Sequence, residues 1–145
     1  MKKGLEARLV SAANKQFQGL ERENKSQTGA YQEHYKLDDE ATVCLLLRDN
    51  QAIACGAFRL MDEERAELLR LYVKPEHRKK GHAKQILDAL ELQAMFQGCT
   101  NMVLAVGKNA KEARNLYQSL EYRDVRAWAP FAGDGKIICL SKELV

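Results

Sequence analysis

The chain has 145 residues, 46% of them hydrophobic and 30% charged, with a formal net charge of +3 at pH 7. That length suits one domain with a buried core and is too short for two ordinary ones, and the composition excludes wholesale disorder, collagen-like repeats and a dense disulfide scaffold. So small a net charge does not argue for a nucleic-acid partner, and without a signal-peptide core or a run of about 18 apolar residues neither secretion nor membrane insertion is indicated.

In chain order, Leu5, Leu9, Ala12, Ala13, Phe17 and Leu20 recur at helical spacing, which predicts an amphipathic helix over residues 5–20. Residues 21–39 are mostly polar, with Tyr31, His34 and Tyr35 close together; they either line a pocket or anchor the segment on the core. Ala41 to Arg48 and Ala52 to Leu60 are apolar runs joined by Asp49-Asn50-Gln51, the pattern of an antiparallel hairpin. Gly56 inside the second run predicts a bulge or a close backbone approach. A charged turn, Met61 to Arg65, leads to a third strand, Ala66 to Val73.

Pro75 ends that strand, having no NH for the ladder and disfavouring helix at Lys74. The helix that follows carries Ala83, Ile86, Leu87, Leu90 and Ala94 on one stripe and stops at Gly98. Leu92 and Phe96 fall off the stripe, which points to cover on a second side. Asn101 to Val106 reads as a fourth core strand. A further helix follows Gly107-Lys108, with Asn109 and Glu112 spaced as a capping box and Ala110, Ala113, Leu116, Tyr117 and Leu120 on one face. Tyr122 to Val125 and Lys136 to Leu140 read as two last strands around a loop holding Trp128 and Phe131. Cys44, Cys55, Cys99 and Cys139 form no CxxC pair and no metal-type spacing with histidine, so free thiols, no metal site and a reducing, cytoplasmic setting are expected.

The most informative stretch is Leu68 to Leu87, LLRLYVKPEHRKKGHAKQIL: a buried strand, a basic turn and the start of a helix. Such a layout turns backbone NH groups and positive charge toward a compact anion such as a phosphate. On composition alone the basic turn would be a solvated loop. Within it, Arg78-x-x-Gly81-x-Ala83 follows closely on Leu71-Tyr72-Val73-Lys74-Pro75, and this combination resembles the acyl-coenzyme A binding motif of the GNAT family of N-acetyltransferases. From residue 41 onward the order of strands and helices is also similar to that family. The resemblance implies one α/β (α+β) domain over residues 1–145, an acyl-CoA N-acyltransferase fold whose mixed sheet of about six to seven strands is flanked by helices. Family members usually open with a strand, and Met1 to Gly4 is too short to supply it.

The resemblance also assigns roles. The strands Ala66 to Val73 and Asn101 to Val106 would splay apart, and the pantetheine arm of acetyl-CoA would pair with free backbone groups of Leu71 and Val73. The backbone from Arg78 to Ala83 would wrap the pyrophosphate, with Arg78, Lys79 and Lys80 adding charge, Gly81 allowing close approach, Ala83 keeping the helix start open, and the side chain of His82 exposed. Asn109 either meets the pantetheine arm or simply caps its helix. Tyr117, in a segment similar to the family's Leu-Tyr-x-x-x-Gly-Phe ending, would protonate the departing thiolate, or else is a core tyrosine; Glu121 stands where the family usually has glycine. Glu67 resembles a position where some members place a base, and is otherwise a solvated or cross-sheet paired charge. The implied activity is direct acetyl transfer to a primary amine of a small molecule or peptide, with Tyr31, Tyr35, Trp128 and Phe131 as candidate pocket residues and a homodimer left open. A non-catalytic acyl-CoA sensor on the same fold is the competing reading.

Overall fold

The computed structural model describes residues 4–28 and 37–144, so Tyr31, His34 and Tyr35 lie outside the described residues. Among the described residues seven strands form one sheet in the order β1-β2-β3-β4-β5-β7-β6: β1 Leu5–Val10, β2 Thr42–Arg48, β3 Gln51–Leu60, β4 Arg65–Val73, β5 Asn101–Gly107, β6 Arg123–Val125 and β7 Ile137–Glu143. The α-helices of the described residues are α1 Lys15–Thr28, α2 His82–Phe96 and α3 Lys111–Ser119. From β2 onward the elements follow the expected order. β4 and β5 pair in parallel and the other described pairs are antiparallel, which makes the sheet mixed.

The N-terminus departs from its helical spacing. Residues 5–10 are strand, paired antiparallel to β2 from Leu5↔Arg48 to Val10↔Val43. The apolar run of β2 is buried from Val43 to Leu47, and its outer edge needs a ladder partner; pairing overrides the local periodicity. The helix starts only after Asn14, whose Oδ1 accepts from the NH of Phe17 at 3.0 Å, an N-cap. This strand also supplies the opening edge that Met1 to Gly4 could not.

The β2–β3 hairpin closes through Asp49 and Asn50 with φ of 49° and 67°, the type I′ geometry that matches strand twist. Both expectations for Gly56 hold. The β3–β4 register shifts between Cys55 and Ala57, so that Arg70 and Leu71 together face Gly56, and Arg70 has φ of 61°. A Cβ on Gly56 would stand 2.6 Å from Ile86 Cγ2 and 3.0 Å from Leu90 Cδ1, so the bulge and the close seating of α2 share one glycine. The two faces of the sheet carry separate cores. On one, Ile86, Leu87 and Leu90 of α2 and Tyr117 of α3 pack against Phe58, Leu68, Met102 and Leu140; on the other, Phe17 and Leu20 of α1 pack against Val43, Leu45, Ala57 and Tyr72. Leu92 and Phe96 are exposed, Phe96 at 75%, so among the described residues nothing covers the second side of α2.

All four cysteines are free and buried; burial pushes the Cys44 thiol up to about 11. No helix among the described residues is long and apolar enough to cross a membrane.

Two helices end alike on different residues. At Gly98, φ 89°, the NH of Gly98 bonds the carbonyl of Met95 and that of Cys99 the carbonyl of Ala94. At Glu121, φ 74°, the NH of Glu121 bonds Gln118 and that of Tyr122 bonds Tyr117. Both are Schellman closures, so glutamate does not change the helix end; it adopts the left-handed conformation that glycine would take without strain. Glu121→Gly is therefore expected to raise stability by about 0.5–1 kcal/mol, read from the urea midpoint at unchanged slope.

Candidate active site

The parallel pairing of β4 with β5 stops after three residue pairs, Arg65↔Asn101 to Glu67↔Val103. Beyond them β5 stays on β7 as far as Gly107↔Ile137, while β4 stays on β3 as far as Val73↔Ala54. The two strands therefore splay, with Glu67 at the vertex and the bulge at Arg70 and Leu71 turning β4 away. The NH of Lys74 bonds the carbonyl of Ile53 at 2.9 Å. By the alternation of an antiparallel ladder, the NH and carbonyl of Val73 then face away from β3, into the gap. That carbonyl is not free as expected, because Arg78 Nε donates to it at 2.8 Å. The side chains of Leu71 and Val73 pack toward the α2 layer.

At the mouth of the gap, Pro75–His77 form one 3-10 turn, Lys79 has φ of 63° and Gly81, with φ of 81° and ψ of 11°, is the N-cap of α2. A Cβ on Gly81 would meet nothing within 4 Å, so glycine here serves conformation and leaves open space. Gly81 contributes no side-chain cap, and the first NH groups of α2, on His82, Ala83 and Lys84, have no acceptor within the helix. Lys79 and Lys80 are exposed beside them. His82 is not exposed as expected: it is 5% accessible, its Nδ1 lies 3.0 Å from Gln85 Oε1, and its Nε2 is buried without a partner. Its position one helical turn before Ile86, on the buried stripe, accounts for this.

At the vertex, Glu67 is 1% accessible and takes Arg59 Nε at 2.9 Å and Nη2 at 2.8 Å on the same oxygen. Of the readings left open for this residue, the solvated one is excluded and the cross-sheet pair is present. Burial pushes its carboxyl above the usual glutamate value, and Arg59 offsets part of that. Burial likewise raises the thiol of Cys139, with a backbone hydrogen bond from Trp128 opposing and the charge of Glu67 adding to it. The β6–β7 loop thus folds over this end of the sheet, where Phe131 is buried and meets Trp128 edge to face at 6.5 Å.

Tyr117 is 9% accessible on α3 and meets the Tyr122 ring edge to face at 5.7 Å. The hydroxyl of Tyr122 donates to Glu91 at 2.8 Å, and Lys142 Nζ holds the other oxygen of Glu91 at 2.9 Å. The capping box of α3 does not form. Ala110 occupies the cap position without a side-chain bond, and Asn109 is exposed, its carbonyl accepting from the NH of Lys111 at 2.9 Å. The turn after Gly107, closed by the NH of Ala110 on the Gly107 carbonyl, delays the helix past the expected start.

Two features of this region were not singled out from the sequence. One is Arg59, which the hairpin register could have placed opposite Glu67. The other is a row of contacts tying α1 to β4: Arg70 to Glu21 at 3.0 Å, Lys74 to Glu23 at 3.4 Å, and Tyr72 OH to Glu23 at 3.3 Å. Charged pairs across such sequence distances leave no local pattern to read.

A mixed seven-stranded sheet parted between β4 and β5, with an uncapped helix start at the mouth, defines the acyl-CoA N-acyltransferase class of fold. A structure described as an acyl-CoA N-acyltransferase from Klebsiella pneumoniae superposes with a TM-score of 0.86 at 24% identity, over 97% of this chain and 98% of that one. The yncA acetyltransferase structure from Salmonella typhimurium, which holds acetyl-CoA, superposes with a TM-score of 0.76 at 16% identity over 99% and 95%. Among curated proteins, the N-acetyltransferase YsnE of Bacillus subtilis is 27% identical over 97 residues, 66% of this chain and 64% of its own length. The chain thus spans just under two thirds of that relative. Residues 7–122 match the model of the acetyltransferase (GNAT) family, and the chain belongs to that family.

Proposed function

We propose that this chain is an acetyl-CoA-dependent N-acetyltransferase that passes the acetyl group directly to a primary amine of a small molecule or peptide. The observation that carries the reading is the coincidence of an open β4 edge with a glycine turn and an uncapped helix start at one mouth. The gap accepts an extended arm as a strand would be accepted, and the NH groups of residues 82–84, with Lys79 and Lys80, suit a pyrophosphate. Leu71 and Val73 would present backbone to the arm, and exposed Asn109 would reach it from the β5 side. Holding thioester and amine together supplies most of the acceleration.

Two groups would move protons. Glu67 accepts one from the attacking ammonium, directly or through water, and Tyr117 gives one to the departing thiolate. The Cys139 thiol, raised by burial, is a poor nucleophile, which favours direct transfer over an acetyl-cysteine intermediate. The deciding assay is thiol release from acetyl-CoA across a panel of amines. Binding of acetyl-CoA with no release for any amine would defeat the catalytic reading and leave a sensor.

Glu67→Gln is expected to lower kcat by about 100-fold. The carboxylate is the working form and burial raises its pKa, so wild-type activity falls as pH drops through a value above that of a free glutamate, about 4.3. The glutamine variant should lose this acid limb; a limb that persists unchanged would assign the base elsewhere.

A further inference from the structure

The Arg59–Glu67 pair at the vertex is asymmetric in two ways. Its members are direct cross-strand partners of β3 and β4, so both side chains leave the sheet on one face, about 5 Å apart at Cβ. The neighbours say which face. Phe58, Ala66 and Leu68 belong to the core under α2, and by strand alternation Arg59 and Glu67 point the other way. The glutamate side chain is 1% accessible and that of the arginine 34%, which is the first asymmetry. The second lies in the bonds. An arginine fork facing a carboxylate ordinarily gives one bond to each oxygen, but here Nε at 2.9 Å and Nη2 at 2.8 Å converge on Oε1. That fills both lone-pair directions of Oε1, so a proton arriving at this carboxylate goes to Oε2.

A carboxyl buried so deeply favours its neutral form unless a cation stands beside it, and a neutral carboxyl cannot act as a base. Among the described residues the charge that acts on Glu67 is that of Arg59. On the other flank β5 sets Val103 opposite Glu67. Beyond it β7 brings the Cys139 thiol, whose own ionisation the Glu67 charge opposes. The other arginines of β4 are engaged elsewhere, Arg65 with Asp62 and Arg70 with Glu21 of α1.

We infer that Arg59 is the positioning residue of the base: it pins Glu67 by one oxygen, keeps the carboxylate charged, and leaves Oε2 to receive the proton of the acceptor's ammonium, directly or through a water. This rests on the reading of Glu67 as the base. Arg59 acts through Glu67 alone. It stands on β3, on the side of β4 away from the gap that parts β4 from β5, so affinity for acetyl-CoA should not depend on it. A pair that served only the sheet would cost stability when broken and leave the pH profile where it was.

In Arg59→Met the fork and the charge are both removed. The acid limb of the rate should then move up by about 1–2 pH units, and kcat on the plateau should fall about tenfold as the carboxylate loses its fixed orientation. KM for acetyl-CoA should stay within about twofold. Arg59→Lys restores the charge as a single point donor without the fork, so its limb should lie about half a unit above wild type and its kcat within about threefold. Thiol release from acetyl-CoA across pH 5–9 with an accepted amine reads these changes, and thermal melts report fold. Should Arg59→Met not fold, the lysine variant carries the test alone. A limb that keeps its wild-type position in the folded variants overturns the inference. A limb that persists unchanged in Glu67→Gln overturns the reading of Glu67 as the base instead.

Discussion

Gly81→Glu should raise the KM for acetyl-CoA by about 100-fold, a loss of about 2.7 kcal/mol in binding, while kcat at saturation stays within about threefold. Two effects add. The backbone at Gly81 has φ of 81°, where an L-residue costs about 1–2 kcal/mol. The larger effect is electrostatic. The position lies at the uncapped start of α2, where orphan NH groups and the helix dipole favour an anion; a carboxylate attached there takes that place for itself and repels the phosphates. Because nothing lies within 4 Å of a Cβ at this position, the new side chain meets no protein atom, so the variant should fold with only a modest fall in Tm. Gly81→Ala separates the effects: it keeps the strain and adds no charge, and should raise KM by no more than about tenfold. If KM for the glutamate variant stays within threefold of wild type, the pyrophosphate lies elsewhere.

The helix α2 and the turn before it were legible because their signals are local: Pro75 ends a strand, Gly81 permits the left-handed turn, and the stripe of Ile86, Leu87 and Leu90 fixes the buried face. Gly98 marked the stop for the same reason. Residues 5–10 were misread because a helical stripe and an edge strand differ only in what lies beside them, and the partner, β2, comes more than thirty residues later. His82 was misread through its place in a motif, although its spacing of four from Ile86 already put it on the buried stripe. The splay illustrates the other kind of limit. A strand edge left open between Leu68 and Val73 has the same composition as one that is paired, and only the bulge opposite Gly56 gave a local hint. Whether Glu67 was solvated or paired turned on Arg59, across a strand boundary.

The same long-range packing bears on which tyrosine can act as an acid. Tyr117→Phe is expected to lower kcat by about 100- to 1000-fold, leave KM for acetyl-CoA within about twofold, and remove the fall in activity on the alkaline side. The phenol must be protonated to work, so in wild type the rate declines on the alkaline side as the phenol ionises; phenylalanine has no proton to lose and no such decline. The fold should tolerate the change. The Tyr117 ring packs edge to face on Tyr122, and its carbonyl, not its side chain, closes the helix end on Tyr122; phenylalanine keeps both. Tyr122 is the natural rival and a poor one. Its hydroxyl is committed to Glu91 at 2.8 Å, and burial together with that carboxylate drives its phenol far above the ordinary range. Tyr122→Phe should therefore cost stability, about 1–3 kcal/mol for the buried carboxylate left with one donor fewer, while the alkaline limb persists. An alkaline limb that survives in Tyr117→Phe and vanishes in Tyr122→Phe would reverse the assignment.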